Sequence, residues 1–150
     1  MDLEHEFTYT AMLKPPVEIG PGPLGTRMFF EAIDGPVTGE RLRGTVLTGG
    51  GDWALLGPDG FVRLDVRAQM RTDDGAAVYL RYDGLLEFND AVQQAMGSGA
   101  GTDWGDQYFR TTPILECGDP RYAWLTQSVF VGEGRIVEGL GVEYRVHRVT

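Results

Sequence analysis

The sequence is short of the side chains that most often bind metals or act as nucleophiles. Its 150 residues include one cysteine, Cys117, together with two histidines and two serines. One cysteine excludes a disulfide within the chain, and no H-x-x-x-H, H-E-x-x-H or C-x-x-C spacing indicates a metal site. Neither Ser98 nor Ser128 lies in a G-x-S-x-G segment, and no GKS or GKT follows a glycine-rich stretch. We therefore expect chemistry without a metal or other cofactor.

Lysine and long apolar stretches are also scarce. Lys14 is the only lysine among thirteen basic residues, and the formal net charge is −9. An acidic chain without a Lys/Arg cluster repels a phosphate backbone, so nucleic acid is not an expected partner. No apolar run approaches the ~20 residues that a membrane span needs. The acidic segment from Met1 to Glu6 lacks the basic region and apolar stretch of a signal peptide. We expect a cytoplasmic protein that does not contact membranes.

Turn signals and short apolar segments dominate what the sequence does contain. Four Asp-Gly pairs separate stretches rich in Val, Leu, Phe, Tyr and Thr, and such a pair is typical of a tight β-hairpin turn. The four pairs begin at Asp34, Asp59, Asp74 and Asp83. Only the segment from Asn89 to Met96 favours a helix, which Asn89 or Asp90 could cap. The proline- and glycine-rich segment from Lys14 to Pro23 predicts a loop. The expected strands include Leu3 to Leu13, Gly39 to Leu47, Gln107 to Glu116 and Tyr122 to Gly132. The pattern predicts a single all-β domain over residues 1–150. We expect an antiparallel, closed or nearly closed β-barrel of about eight or nine strands with one short helix.

Four of the predicted strands alternate strongly between polar and apolar residues, so each has one polar face. The polar residues on these faces include Arg43, Asp65, Arg67, Tyr79, Arg81, Tyr108 and Arg110. Two arrangements fit this alternation. In the first, apolar faces fill the barrel and polar faces meet water; in the second, Arg, Asp and Tyr line a polar lumen. The sequence does not distinguish between them. The single pair of histidines, His5 and His147, lies on the first and last strands and would be adjacent if the barrel closes through its termini.

These residues lead to a functional hypothesis based on proton transfer. Asp52 and Asp65 are the candidate acid or base, and Arg67 and Tyr79 would stabilise a developing oxyanion. The candidate substrate-binding residues are Arg43, Trp53, Arg81, Tyr108, Arg110, Tyr122 and Trp124. The predicted function is a cofactor-free cyclase, isomerase or lyase that acts on an oxygenated hydrophobic metabolite. The alternatives are a non-catalytic binding or carrier protein for such a ligand, and a structural oligomeric barrel. We expect a homo-oligomer, dimer or trimer.

Several ordered blocks of the sequence resemble one known family. They are Leu3-Glu4-His5 with Phe7, Arg41 to Val46, Asp52-Trp53 after a glycine-rich turn, Arg71 to Gly75, Tyr108 to Thr111 with Pro113, and Tyr122 to Leu125 with Phe130 to Gly132. Over nearly the whole chain, the blocks resemble domain-of-unknown-function family 3237, a group of small bacterial and fungal proteins. The resemblance implies a compact β-barrel and transfers no established activity. It points to Arg43, Asp52, Trp53, Arg67, Tyr79, Arg110 and Trp124 as site positions. Thr126 departs from the family, which often has Asn there.

Overall fold

Twelve β-strands in one antiparallel sheet make up most of the chain. The computed structural model describes residues 1–150. The strands are β1 (Leu3–Leu13), β2 (Val17–Gly22), β3 (Gly25–Asp34), β4 (Pro36–Gly39), β5 (Gly44–Val46), β6 (Gly51–Leu56), β7 (Phe61–Thr72), β8 (Ala77–Glu87), β9 (Phe109–Thr111), β10 (Ile114–Cys117), β11 (Val129–Val137) and β12 (Gly141–Val149). A helix α1 (Asp90–Ser98) and a 3₁₀-helix (Pro120–Leu125) complete the fold.

The sheet closes on itself because β12 pairs with β1 along almost their whole length. The closed ring runs β1, β4, β5, β7, β8, β9, β11, β12 and back to β1. β6, β3 and β2 extend in that order from β7, and β3 pairs again with β1. A ring of about eight strands has an interior wide enough for side chains or one small ligand. The predicted closed, antiparallel β-barrel is confirmed.

The closed ring has eight strands, as expected for the barrel, whereas the whole sheet has twelve, for three local reasons. The single strand expected from Gly39 to Leu47 is replaced by β4 and β5, which pair with each other. The proline- and glycine-rich segment after β1 was expected to be a loop, but Val17–Gly22 forms an edge strand, where proline is tolerated. The single strand expected from Gln107 to Glu116 is two strands, β9 and β10, separated by Thr112 and Pro113. Proline has no N–H for a continuous ladder, which explains the interruption.

Apolar side chains point into the barrel and polar side chains point out. Twenty-eight buried hydrophobic residues form one continuous core. On β7, for example, Leu64 and Val66 are buried whereas Asp65 and Arg67 are exposed. Burial of apolar side chains stabilises the folded chain by roughly 25 cal/mol per Å² of area removed from water. This gain favours the arrangement in which the apolar face of each strand turns inward. Of the two arrangements that the alternation allowed, the structure has the first.

Two of the four Asp-Gly pairs are not hairpin turns. Asp59-Gly60 and Asp74-Gly75 lie in the turns before and after β7, each with a glycine at positive φ. Gly84, by contrast, lies within β8. A Cβ atom at this position would be 2.7 Å from the Arg110 carbonyl oxygen, so close strand packing requires glycine there. Asp34-Gly35 joins β3 to β4, which do not pair with each other.

The two helices lie outside the sheet. Asn89 caps α1 as expected, because its side-chain oxygen accepts a hydrogen bond from the Val92 N–H at 3.1 Å. The segment from Tyr122 to Leu125 was expected to be a strand, but it belongs to the 3₁₀-helix, which Asp119 caps and in which proline occupies the first turn. Neither helix combines the length and apolarity needed to cross a bilayer.

Candidate functional site

The barrel encloses a cavity of about 90 Å³ in the half of the lumen that α1 covers. Val92 and Met96 of α1 line this cavity together with inward-facing side chains of the surrounding strands. In the opposite half, Leu115, Leu125 and Phe130 are almost completely buried and do not line the cavity. The cavity is therefore confined to the half of the barrel that α1 covers, and side chains fill the positions of these three residues in the other half.

Three buried tyrosines form a layer across the middle of the barrel. Tyr9 of β1 lies directly opposite Tyr144 of β12, with ring centroids 5.1 Å apart. The ring of Tyr82 lies edge-on to that of Tyr144 at 5.4 Å. All three line the cavity, and burial raises the pKa of each phenol well above its ordinary value. The tyrosines therefore stay neutral and can donate hydrogen bonds within the lumen.

Asp52 is the one charged residue that lines this cavity. On β6 it lies opposite Phe30 of β3 and Val66 of β7, both of which point inward. Its Oδ1 accepts a hydrogen bond from the backbone N–H of Asp65 at 3.0 Å. The next two residues of β6, Trp53 and Ala54, are not paired with β7, although pairing resumes after them. The carboxyl group thus lies beside a gap in the ladder between β6 and β7.

Arg27 approaches the same gap from the outer side. Its Nη1 donates a hydrogen bond to the Trp53 carbonyl oxygen at 2.7 Å, which satisfies an acceptor beside the interrupted ladder. Burial raises the pKa of Asp52 to about 7; the backbone hydrogen bond from Asp65 and the charge of Arg27 lower it, whereas the charge of Asp65 raises it further. At neutral pH Asp52 is therefore present both with and without its proton, as general acids and bases require.

The interior thus combines one titrating carboxyl group with three neutral hydroxyl groups in an apolar wall. The charge of Asp52 contributes to the raised pKa values of Tyr82 and Tyr144, which shows that these groups are near one another. No arginine or lysine lines the cavity, so a buried carboxylate or phosphate would find no counter-charge there. The arrangement is suited to giving a proton to, or taking one from, an uncharged oxygenated molecule.

Four of the expected site residues lie on the outer surface of the barrel. Asp65 and Arg67 on β7, and Tyr79 and Arg81 on β8, alternate with buried apolar residues and point away from the cavity. They therefore do not line the cavity with Asp52, as the second of the two arrangements would have required. Only Asp65 contacts Asp52, and it does so through its backbone.

Tyr108 and Arg110 also lie outside, in an open surface groove of about 810 Å³ beside β9. Glu133 and His147 line the same groove, and Nη1 of Arg110 lies 3.8 Å from a carboxylate oxygen of Glu133. The guanidinium of Arg110 also faces the ring of Tyr108, 5.2 Å from its centroid. These two residues are together, as expected, but on the opposite side of the wall from the cavity.

Arg43 and Trp53 are exposed as well. The Nε of Arg43 donates a hydrogen bond to the Gly39 carbonyl oxygen at 2.8 Å. Trp53 follows Asp52 on β6, so its side chain turns outward, where it stacks on Phe29 with ring centroids 4.4 Å apart. Neither side chain lines the cavity.

Tyr122 and Trp124 belong to the 3₁₀-helix and do not line the cavity. The Tyr122 hydroxyl donates to the carboxylate of Asp74, 2.8 Å from each oxygen, and thereby ties the helix to the turn between β7 and β8. The guanidinium of Arg41 lies over the Trp124 ring, 3.8 Å from its centroid. Both aromatic residues therefore make packing contacts near the filled half of the barrel.

The two histidines are neighbours, as their positions on the first and last strands predicted. His5 and His147 are directly paired between β1 and β12, with ring centroids 5.4 Å apart. Burial and the nearby His5 lower the pKa of His147. No group of three His, Cys, Asp or Glu side chains is arranged to hold a metal ion.

The sequence interpretation missed the three tyrosines of the lumen. A signal was present, because Tyr9 shares its face of β1 with Phe7 and Ala11, and these three residues are all buried. Tyr82 and Tyr144 share faces with apolar residues in the same way. The candidate residues chosen from the sequence lie mostly on the polar faces of the strands, whereas these cavity-lining hydroxyl groups lie on the apolar faces.

Comparisons with known proteins find bacterial relatives that align with this chain over most of both lengths. A UPF0311 protein of Clostridium acetobutylicum is 36% identical over 132 residues, which cover 87% of this chain and 84% of the relative. The crystal structure of RPA1785, a conserved protein of Rhodopseudomonas palustris, covers 100% of this chain and 99% of its own, with a TM-score of 0.87 and 33% identity. A β-barrel-like protein of Acinetobacter baumannii aligns over 99% of this chain and 96% of its own, with a TM-score of 0.82 and 27% identity.

A fungal relative is more distant. PR-toxin biosynthesis cluster protein 7 of Penicillium roqueforti is 29% identical over 125 residues, which cover 78% of this chain and 62% of that protein. The family described as "Protein of unknown function (DUF3237)" matches residues 1–149. With its closed barrel and full-length similarity to the bacterial proteins, this chain belongs to the DUF3237 family.

Proposed function

We propose that this protein is a cofactor-free enzyme that moves a proton on a small uncharged molecule held in the barrel. The observation that carries the proposal is Asp52, a single carboxyl group with a pKa of about 7 in an otherwise apolar cavity. A group whose pKa lies near the working pH is effective both as acid and as base. Cyclisation, isomerisation and loss or addition of water can proceed through proton transfer without any oxidation or reduction of the substrate.

The tyrosine layer gives the second part of the mechanism. When the ionised Asp52 removes a proton beside a carbonyl group, negative charge develops on the carbonyl oxygen, and return of that proton from Asp52 to another atom of the substrate completes an isomerisation. The hydroxyl groups of Tyr9, Tyr82 and Tyr144 are neutral donors that can stabilise a developing oxyanion. This role replaces the one that the sequence pattern assigned to Arg67 and Tyr79, which lie on the outer surface.

The cavity limits the substrate by both charge and size. Its volume of about 90 Å³ accepts a compact group, and an anionic group would lose its hydration without gaining a cation. Met28, Met70 and Met96 line the space, and methionine side chains adapt readily to irregular shapes. The proposed substrate is therefore a neutral, largely apolar molecule with one reactive oxygen. The relative named for a PR-toxin biosynthesis cluster supports a place in secondary metabolism.

A carrier protein is the second candidate. Twenty-four of the 27 residues around the cavity are hydrophobic, a lining that also suits the storage of an apolar ligand without chemistry. A carrier needs no titrating group, however, and burial of the Asp52 carboxyl group opposes the charged form. A filled, purely structural barrel has less support because the cavity is present.

The Asp52→Asn variant tests the proposal. Wild type and variant are incubated with a panel of neutral hydroxy-alkenes, epoxides and enones, and products of equal mass or of mass changed by one water are detected by chromatography with mass spectrometry. We expect the variant to lose roughly 10²- to 10⁴-fold in turnover while keeping ligand affinity. The exposed Asp34→Asn change is the matched control and leaves turnover intact.

Two results would count against the proposal, one against the role of Asp52 and the other against catalysis. Full turnover in Asp52→Asn would remove Asp52 from the reaction. Binding of a co-purified neutral ligand, seen by native mass spectrometry, with no conversion by either protein would favour the carrier.

A further inference from the structure

The outer surface of β7 and β8 has two adjacent pairs of like charges. Asp65 lies directly opposite Asp83, and one rung further along Arg67 lies directly opposite Arg81. Like charges in directly opposed positions destabilise a sheet. None of these four side chains takes part in a salt bridge within the chain. Their arrangement therefore has no stabilising role in the isolated barrel.

The rungs on either side of these four charges continue the pattern. A rung is a row of outward-facing residues paired across neighbouring strands. Beyond the acidic pair, the rung consists of Arg63, Leu85 and Arg110 of β9; beyond the basic pair, it consists of Gln69, Tyr79 and Glu116 of β10. Leu85 is 40% exposed, so a large apolar side chain meets water. Glu116 has no salt-bridge partner in the chain, and the one salt bridge of Arg110 is a long contact of 3.8 Å to Glu133.

We propose that this surface, formed by the four rungs from Leu85 to Tyr79 on the outside of β7 and β8, is the contact face of a homodimer. The two-fold axis runs between the two barrels, across the strands and midway between the acidic and basic rungs. This rotation sets Asp65 against the partner's Arg67 and Asp83 against the partner's Arg81. It also sets Arg110 against the partner's Glu116 and Leu85 against the partner's Tyr79.

The order of the rungs is the reason for choosing a second copy over another partner. A different protein or a ligand needs only a surface that complements its own surface. Such a partner imposes no relationship between the residues of this face. In a two-fold symmetric dimer, both copies use the same face. Each residue of that face must therefore complement the residue that lies on the other side of the two-fold axis. Four pairs of positions satisfy that condition about the same axis: three pair opposite charges, and the fourth pairs two partly exposed apolar groups. A fifth pair sets Arg63 against the partner's Gln69; the charge of Arg63 is already compensated by Asp59 within its own chain.

Charge reversal followed by mixing tests this interface. The Arg67→Glu/Arg81→Glu variant has four acidic residues in the two central rungs, and the Asp65→Arg/Asp83→Arg variant has four basic residues there. We expect wild type to sediment as a dimer at micromolar concentration and near-physiological salt. Each variant alone should dimerise on the order of 100-fold more weakly. An equimolar mixture of the two should recover a heterodimer, because every acidic rung then faces a basic one.

Controls separate this dimer from a general effect of surface charge and from misfolding. Arg43→Glu changes the charge of an exposed residue outside the four rungs and should leave the dimer unchanged, whereas Arg81→Glu should weaken it. Circular dichroism of each variant verifies folding. A wild-type monomer, or variants that dimerise as well as wild type, would overturn the proposal. Failure of the mixture to associate, with both variants folded, would overturn the two-fold pairing; each result leaves the role of Asp52 untouched.

Discussion

Asp52 makes the stability of the barrel depend on pH. Its pKa is raised from an ordinary value of 3.8 to about 7 because the carboxyl group is buried. Between these two values the folded chain keeps a proton that the unfolded chain has lost. The stability that Asp52 contributes is therefore fully present below about pH 4, falls as pH rises toward 7, and changes little above that.

The Asp52→Asn substitution should remove this dependence. Because asparagine does not titrate and its side-chain oxygen can still accept the Asp65 N–H, the variant should keep the local structure. We expect the free energy of unfolding of wild type, relative to the variant, to fall by at most roughly 1.4 kcal/mol per pH unit between about pH 4 and pH 7. Urea unfolding of both proteins across this range measures the difference. A difference that stays constant with pH would contradict the assigned pKa.

At the scale of single elements, α1 depends on one residue with a left-handed backbone. Gly99 ends the helix with φ 74°, and its N–H donates to the Ala95 carbonyl oxygen at 3.0 Å. Gly97, two residues earlier, is exposed within the helix, and a methyl group added there would meet no atom within 4 Å. The backbone conformation at Gly99 therefore favours glycine, whereas the position of Gly97 can accept a larger residue.

Alanine substitution at these two glycines should have opposite effects. Gly99→Ala forces a Cβ into the left-handed region and should destabilise the protein by about 1 kcal/mol. Gly97→Ala should stabilise it by about 0.5–1 kcal/mol, because alanine favours a helix interior. Thermal unfolding of both variants, each serving as control for the other, measures the two effects. Equal shifts in the same direction would refute this account of the helix end.

Elements with a clear local pattern could be predicted from the sequence, and those fixed by contacts with distant residues could not. The alternation in β1 and the Asn89 cap were sufficient to predict the first strand and the helix. The Asp83-Gly84 pair resembled a turn, yet Gly84 serves to let β9 approach β8. Asp52 was identified as a candidate by its residue type. Its partners in the lumen, such as Tyr82, could not be chosen until the inward faces were known.

The whole molecule is closed by its two terminal strands. The N–H of Asp2 donates to the Thr150 carbonyl oxygen at 3.2 Å, and the N–H of Thr150 donates to the Asp2 carbonyl oxygen at 2.9 Å. The first and last residues are therefore adjacent in space, although they are farthest apart in sequence. The barrel depends on this long-range pairing, which a chain with many non-local contacts forms slowly.

A circular permutant should therefore keep the fold. A short glycine-rich linker joins Thr150 to Met1, and new termini open at the exposed Asp59-Gly60 turn. We expect the permutant to give the wild-type circular dichroism spectrum and cooperative unfolding. Opening the chain instead at Gly132, within the buried part of β11, should prevent folding and serves as the contrasting case. An unfolded Asp59-Gly60 permutant would mean that this hairpin must be continuous for the barrel to form.

The gap between β6 and β7 gives this closed molecule a natural spectroscopic reporter. The backbone N–H of Asp65 donates to the Asp52 carboxyl oxygen, while its own side chain is exposed. The amide proton resonance of Asp65 should therefore shift as Asp52 gains or loses its proton, with a midpoint at the pKa of about 7. A guest molecule in the lumen that binds one protonation state of Asp52 would move that midpoint. The amide resonance of Asp65, in the barrel wall, would therefore report binding inside the barrel before any substrate has been identified.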